Sequence, residues 1–277
     1  MLNQMRAHVT LALARRIALM LLLPLLAATS LAQEQFDAVG EKQLVELINQ
    51  ERVREGLEPL ATDERLTQAA RRHTELLVKH KTLSHRYDGE ESLELRLADE
   101  NLRSDRQAEN VALDIDVAGA HANLMNSPPH RASILSSKYN TVGVGVLHSG
   151  DEVYVTEDFA RRLPDYSDAE ADAVLQATIA KYASAQGHPV PARKAQSAIH
   201  QMACDMALID ALDAGTPKSI AGVHHVVAWT ATELEDLPAG VKTLLSQPLS
   251  TGYSLGACFA PSVSHPGGMY WIVMVTY

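Results

Sequence analysis

The sequence predicts an α/β fold: an α-β-α sandwich on an antiparallel sheet, followed by a smaller, degenerate α+β unit. Three observations predict it. Apolar residues recur at helical spacing through residues 41–80. Alternating β-branched residues and glycines give a hairpin pattern over 141–159. A polar stretch with Pro164 at 161–168 separates these from a second run of helix-like and strand-like segments. The boundaries that follow are a leader at 1–32, a first domain at 40–162 and a C-terminal unit at 168–277.

The leader is read from Arg6, Arg15 and Arg16, an apolar run from Ile17 to Ala28, and the small-residue end Ser30-Leu-Ala32. That run is well short of the ~20 residues a bilayer span needs, so a cleaved secretory signal is expected, an uncleaved anchor being the alternative. The first helix spans 41–55 with Leu44, Leu47 and Ile48 on one face, and ends at Gly56 with Pro59 beyond. A second begins near Thr62 or Asp63 and carries Leu66, Ala69, Ala70, His73, Leu76, Leu77 and His80 as a stripe, which makes both histidines core or cleft-edge residues. A turn-rich stretch from Leu83 to Asn101 holds Asp88-Gly89 and a short helix around Leu93 and Leu97. The chain is extended from Glu109 and helical from Ala118 to Met125, until Pro128 and Pro129 stop it. Thr141 to Leu147 and Val153 to Phe159 form a hairpin across Ser149-Gly150, with Gly143 and Gly145 marking close approach of other backbone.

In the second unit, Ala173–Ala185 and Gly187-His-Pro-Val-Pro191 repeat the helix, glycine and proline layout of 45–60. Ala198–Leu208 stands where 66–77 stood, and Thr251–Gly256 with Met269–Val275 stands where the hairpin stood. A degenerate internal repeat would produce this, as would chance. Trp229, Tyr253, Tyr270, Trp271 and Tyr277 are expected to fill a small sheet's core, and His224, His225 and His265 to be surface or strand residues.

In order, Asn49-Gln-Glu-Arg-Val-Arg-Glu-Gly-Leu-Glu-Pro-Leu60, Leu66-Thr-Gln-Ala-Ala-Arg-Arg-His73, Ser84-His85, Glu109-Asn-Val-Ala112, Ser127-Pro-Pro-His-Arg131, Val142-Gly-Val-Gly-Val146 and Tyr154-Val-Thr-Glu-Asp-Phe159 run through the first unit. This series resembles the bacterial branch of the CAP superfamily (cysteine-rich secretory proteins, antigen 5 and pathogenesis-related proteins, or SCP-like extracellular proteins). The resemblance covers roughly residues 40–160. It implies the α-β-α sandwich of that family and a cleft lined by two histidines and two acids that binds metal. Ala108 replaces the glycine usual before Glu-Asn, and the position matching the second acid falls at or near Ser127.

Removing the leader takes away three arginines and no acid, leaving 21 basic against 34 acidic residues and a formal charge of −13. Nucleic acid and anionic membrane surfaces both need a basic face, which excludes them as partners. Cys204 and Cys258 are the sole cysteines. In an exported chain, periplasmic or extracellular, they are expected to pair, two buried thiols being the alternative.

The chemistry concentrates in His85, Glu109 and His130, each beside a turn or strand, with His121 and Ser127 as further members of the cleft. Two neutral imidazoles bind a divalent ion such as zinc, and a carboxylate nearby orients one of them or acts on a bound water. His121, nine residues before His130, would make a third ligand if it faces the same cleft, a solvent-facing helix residue being the alternative. Arg131 is expected to pair with Glu109 or Asp158. The first unit has neither a Gly-x-Ser-x-Gly elbow nor a cysteine, which argues against nucleophilic catalysis there. Three functions follow from this set: a binding module for a small ligand or divalent metal; a metal-assisted hydrolase of peptides or envelope polymers, with Glu109 as general base; or a structural or partner-binding domain with a remnant cleft.

Overall fold

Asp37 starts the first helix. Its carboxylate accepts the backbone N–H groups of Val39 and Gly40, and α1 runs Ala38–Arg54 before Gly56, at φ 76°, turns the chain away. The computed structural model describes residues 36–277 except 195, 214, 216–219, 249 and 250, so the expected leader lies outside the described residues. After α1 come β1 (Ala61–Thr62), α2 (Glu64–His80), α3 (Leu93–Asp99), β2 (Ser104–Asp114), α4 (Val117–Asn126), α5 (Pro128–Ile134) and the hairpin β3 (Thr141–Ser149) and β4 (Glu152–Arg162).

These strands form one sheet in the order β1-β3-β4-β2, with β1 parallel to β3 and the other pairs antiparallel. Alternation along β3 makes the three layers. Val142, Val144 and Val146 face a core with Leu44 and Ile48 of α1, Ala120 and Leu124 of α4 and Ile134 of α5. Gly143 and Gly145 face the opposite way, onto α2. A Cβ on Gly143 would stand 2.3 Å from the backbone of Leu66 and Thr67, so this helix lies against bare strand backbone.

The second half has α6 (Asp168–Ala185), α7 (Ser197–Leu208), β5 (His225–Ala231), α8 (Ala239–Leu245), β6 (Tyr253–Ala260) and β7 (Met269–Thr276), with the antiparallel sheet order β5-β7-β6. Helices α6 and α8 cover one face through Leu175, Ile179, Val241 and Leu245. Helix α7 covers the other through Ile199, Ala203 and Met206. All five large aromatics foreseen for this core are buried. Cys204 of α7 and Cys258 of β6 form a disulfide.

The stretch read as a linker is short and fixed. β4 extends to Arg162, and the N–H of buried Leu163 donates to Arg103 O at 2.8 Å. Arg103 donates in turn to Tyr166 O and stacks over the Phe259 ring, 4.0 Å from its centroid. Arg161 pairs with Asp105 and with Glu233 of the second half. The arginines that made the stretch look solvated are the ones that fasten it.

The halves share a connectivity. Ala192 forms a parallel bridge to Tyr253, as β1 does to β3 at Ala61 and Thr141. Gly256 meets the backbone of His200 as Gly143 meets that of Leu66; a Cβ there would stand 2.6 Å from His200 N. With Gly143 opposite Asp158 and Gly256 opposite Val273, the registers set Glu109, Asn110, Glu157 and Asp158 against Ala228, Trp229, Ile272 and Val273.

Candidate functional site

Strand β2 ends the sheet order, and its neighbouring residues Glu109 and Asn110 point to opposite faces. On the α2 face, the loop after that helix brings His85 Nδ1 to 2.9 Å from Glu109 Oε1, and Arg96 of α3 donates to Glu109 Oε2. On the other face, Asn110 Nδ2 donates to His130 O at 3.2 Å and to Glu157 Oε2 at 2.9 Å. The edge strand therefore reaches one histidine on each side, and the charge of His85 is felt at His130.

His130 stands in the first turn of α5. Pro128 and Pro129 occupy the opening positions of this helix, where a missing N–H costs nothing. The Ser-Pro-Pro turn thus ends one helix and starts the next. Ser127 Oγ lies 2.9 Å from His130 Nδ1 and fixes the ring.

The charges are set by burial and pairing. The Glu109 carboxylate is almost wholly buried, which alone would raise its pKa, but the hydrogen bond to His85 and the charge of Arg96 hold it below the usual range. The same hydrogen bond raises the His85 pKa against the opposing effect of burial. Burial and the charge of His85 lower that of His130, favouring its neutral imidazole. A carboxylate only accepts, so the proton of neutral His85 sits on Nδ1 and its Nε2 carries the lone pair. Ser127 Oγ can accept from His130 Nδ1–H, and in that tautomer both rings present an Nε2 lone pair.

Beneath the histidines lie acids that the sequence reading did not join to the site. Ser127 contributes a hydroxyl, and Arg96, which holds Glu109, also pairs with Glu90. Glu90 Oε1 lies 2.6 Å from His73 Nδ1 and 3.1 Å from Arg96 Nη1. The other nitrogen of wholly buried His73 lies 2.8 Å from Ser84 O, tying α2 to the loop that carries His85. Asp158, opposite Glu109 in the ladder, has its pKa raised well above the ordinary carboxylate value by burial and by the Glu109 charge. Glu157 is pushed up to about 7 by burial, partly offset by Asn110. The run Thr156-Glu-Asp-Phe159, two acids inside an otherwise apolar strand, was the available signal for this pair.

Three residues sit differently from the sequence expectation. His121 is buried, but the charges it senses are Glu51 and Arg54 of α1, and neither ring nitrogen has a hydrogen-bond partner. It faces α1. Arg131 pairs with exposed Glu55 at 2.9 Å, while Arg96 takes the place expected of it beside Glu109. His80 is an exposed residue stacked on Tyr87. Among the described residues, the group of three metal-ligand types whose donor atoms lie within 4.8 Å of one another is His200, Cys204 and Cys258, outside this cleft.

Residues 45–159 match the family model described as the cysteine-rich secretory protein family, CAP. An uncharacterized membrane protein, YlbC, from Bacillus subtilis (strain 168) is 32% identical over 130 residues, 47% of this chain and 36% of that protein. The uncharacterized protein YkwD from the same organism is 31% identical over 119 residues, 40% of this chain and 43% of its own. The chain thus spans less than half the length of either relative. Among solved structures, an extracellular protein containing a SCP domain from Bacillus anthracis str. Ames is 27% identical with a TM-score of 0.42, covering 44% of this chain and 40% of that one.

Proposed function

Residues 45–159 of this chain are a CAP domain, and we propose that it serves in an exported protein as a binding module whose cleft holds a divalent metal ion such as zinc between His85 and His130. The observation that carries this reading is the engagement of both Nδ1 atoms, by Glu109 and by Ser127, which leaves the two Nε2 atoms as ligands. Glu109 is then the orienting carboxylate behind a metal-binding histidine, an arrangement that fixes the ring and raises its basicity. A bound ion supplies positive charge that draws a carboxylate or carbonyl of a small ligand, peptide or envelope polymer into the cleft. Hydrolysis would need Glu109 free to take a proton from water. Both its oxygens are held, by His85 and Arg96, which favours binding over catalysis.

The second half is read as a degenerate CAP-like copy. Its connectivity supports this, and so does the replacement of Glu109, Asn110, Glu157 and Asp158 by the apolar set Ala228, Trp229, Ile272 and Val273 at matching ladder positions. Its role is packing or partner contact. Export is supported by the leader pattern and the disulfide. No described helix is long and apolar enough to cross a membrane.

Calorimetric titration of the disulfide-intact chain with zinc tests the metal reading. One ion per chain is expected, with binding lost in His85→Ala and His130→Ala and weakened about 10- to 100-fold in Glu109→Gln. Zinc uptake unchanged in both histidine variants, or none in the parent, overturns it.

A further inference from the structure

The second half carries its own cluster of metal-ligand chemistry, on elements that take no part in the CAP cleft. His200 and Cys204 lie one turn apart on α7, and Cys258 faces them from β6. His200 Nδ1 lies 2.8 Å from Ala257 O. A carbonyl only accepts, so the proton is on Nδ1 and the lone pair on Nε2. That Nε2 lies 3.5 Å from Cys204 Sγ and 3.4 Å from Asp168 Oδ2. With zinc bonds of about 2.0–2.1 Å to nitrogen and oxygen and about 2.3 Å to sulfur, tetrahedral angles separate N from S by roughly 3.5 Å and N from O by roughly 3.3 Å. Two of the spacings a tetrahedral ion needs are therefore already present. The support behind the ring is built too: Ala257, which accepts from His200, donates its own N–H to Asp172 at 2.9 Å, and Gly256 lets β6 lie directly against the His200 backbone.

The geometry points to a redox-gated metal site: reduction of the Cys204–Cys258 disulfide creates a site of two thiolates, the His200 imidazole and the Asp168 carboxylate for zinc or a similar thiophilic divalent ion. A dithiol reductant supplies the electrons. Its thiolate attacks Cys204, the more exposed of the two cysteines, and the S–S bond breaks with Cys258 leaving as thiolate. The second thiol of the reductant resolves the mixed disulfide, so the reductant departs oxidised and both cysteines are reduced. Metal binding then releases the remaining thiol protons to solvent, and small side-chain rotations open the two sulfurs around the ion. In the oxidised chain neither sulfur is a thiolate, and the site is closed to metal.

Cobalt(II) titration of the full chain under anaerobic conditions tests this, with a phosphine as reductant because added thiols would themselves bind metal. The reduced chain is expected to take up one cobalt beyond any held in the His85–His130 cleft, with a thiolate-to-metal charge-transfer band and the intense visible bands of tetrahedral coordination, both abolished by zinc. The oxidised chain should give no such band, and the His85–His130 cleft cannot contribute one because it contains no sulfur. His200→Ala should weaken uptake at least ten-fold. Asp168→Asn, at an exposed position that leaves the packing intact, should shift the visible bands. The proposal is overturned if the reduced chain shows no charge-transfer band, if it loses its circular dichroism on reduction, or if the spectrum is unchanged in both variants.

Discussion

Replacing Glu157 by glutamine is expected to stabilise the protein above neutral pH and to do little below pH 4.5. The side chain is wholly buried on the α4/α5 face of β4, with Asn110 Nδ2 on one oxygen and no partner for the other. Burial raises its pKa from 4.5 to about 7. The folded state therefore binds a proton that the unfolded state releases between those values, and stability falls as pH rises through this window. Below 4.5 both states are protonated and the term vanishes. Above 7 it levels off at 2.5 pKa units, on the order of 3 kcal/mol. Glutamine keeps the shape and the bond from Asn110, and its amide can donate to Asn110 Oδ1, which is buried without a partner. Urea unfolding of both proteins from pH 4 to 9 measures the difference directly, because every other titration cancels. A gap that opens between pH 4.5 and 7 and then holds is the expected result. A pH-independent difference, or a variant less stable at pH 8, would refute the assignment of a neutral buried acid.

Two further outcomes follow from the same geometry. In Glu109→Gln, His85 keeps a neutral acceptor but loses the negative charge that strengthens its hydrogen bond and raises its pKa, while burial remains, so its NMR titration should move down; an unmoved midpoint would mean Glu109 does not set its state. Gly143→Ala should cost about 3 kcal/mol or more in urea unfolding, since the added methyl would meet the α2 backbone, which cannot yield as a side chain can; a loss under 1 kcal/mol would mean the helix moves freely on the sheet.

The parts of the fold legible in the sequence were those with a strong local period. Helices α1 and α2 and the β3–β4 hairpin emerged because one buried stripe, one cap or one turn suffices to define each. β5 did not, because His225–Ala231 is a mostly apolar run without alternation, and α8 is a seven-residue helix with only Val241 and Leu245 buried. The start of α6 was in the sequence, in the capping box of Ser167 and Glu170, but its polarity was read as linker. At the site, turns and strand ends singled out His85, Glu109 and His130. Glu90, His73 and Arg96 have no local signature of function, since their meeting depends on how α3 and the loop after α2 fold over β2. His121 was misread for the same reason: its position within a helix leaves its orientation to α1, which packs against it.

The central claim, a metal ion shared by two imidazoles across the edge of β2, is tested most directly by anomalous diffraction at the zinc absorption edge from crystals of the disulfide-intact chain grown with zinc. The account predicts one strong peak within about 2.0–2.1 Å of Nε2 of both His85 and His130, with Glu109 still on His85 Nδ1 and no peak at His200. An ion held by Glu109 with His85 turned away, or no peak in the cleft at saturating zinc, would contradict it.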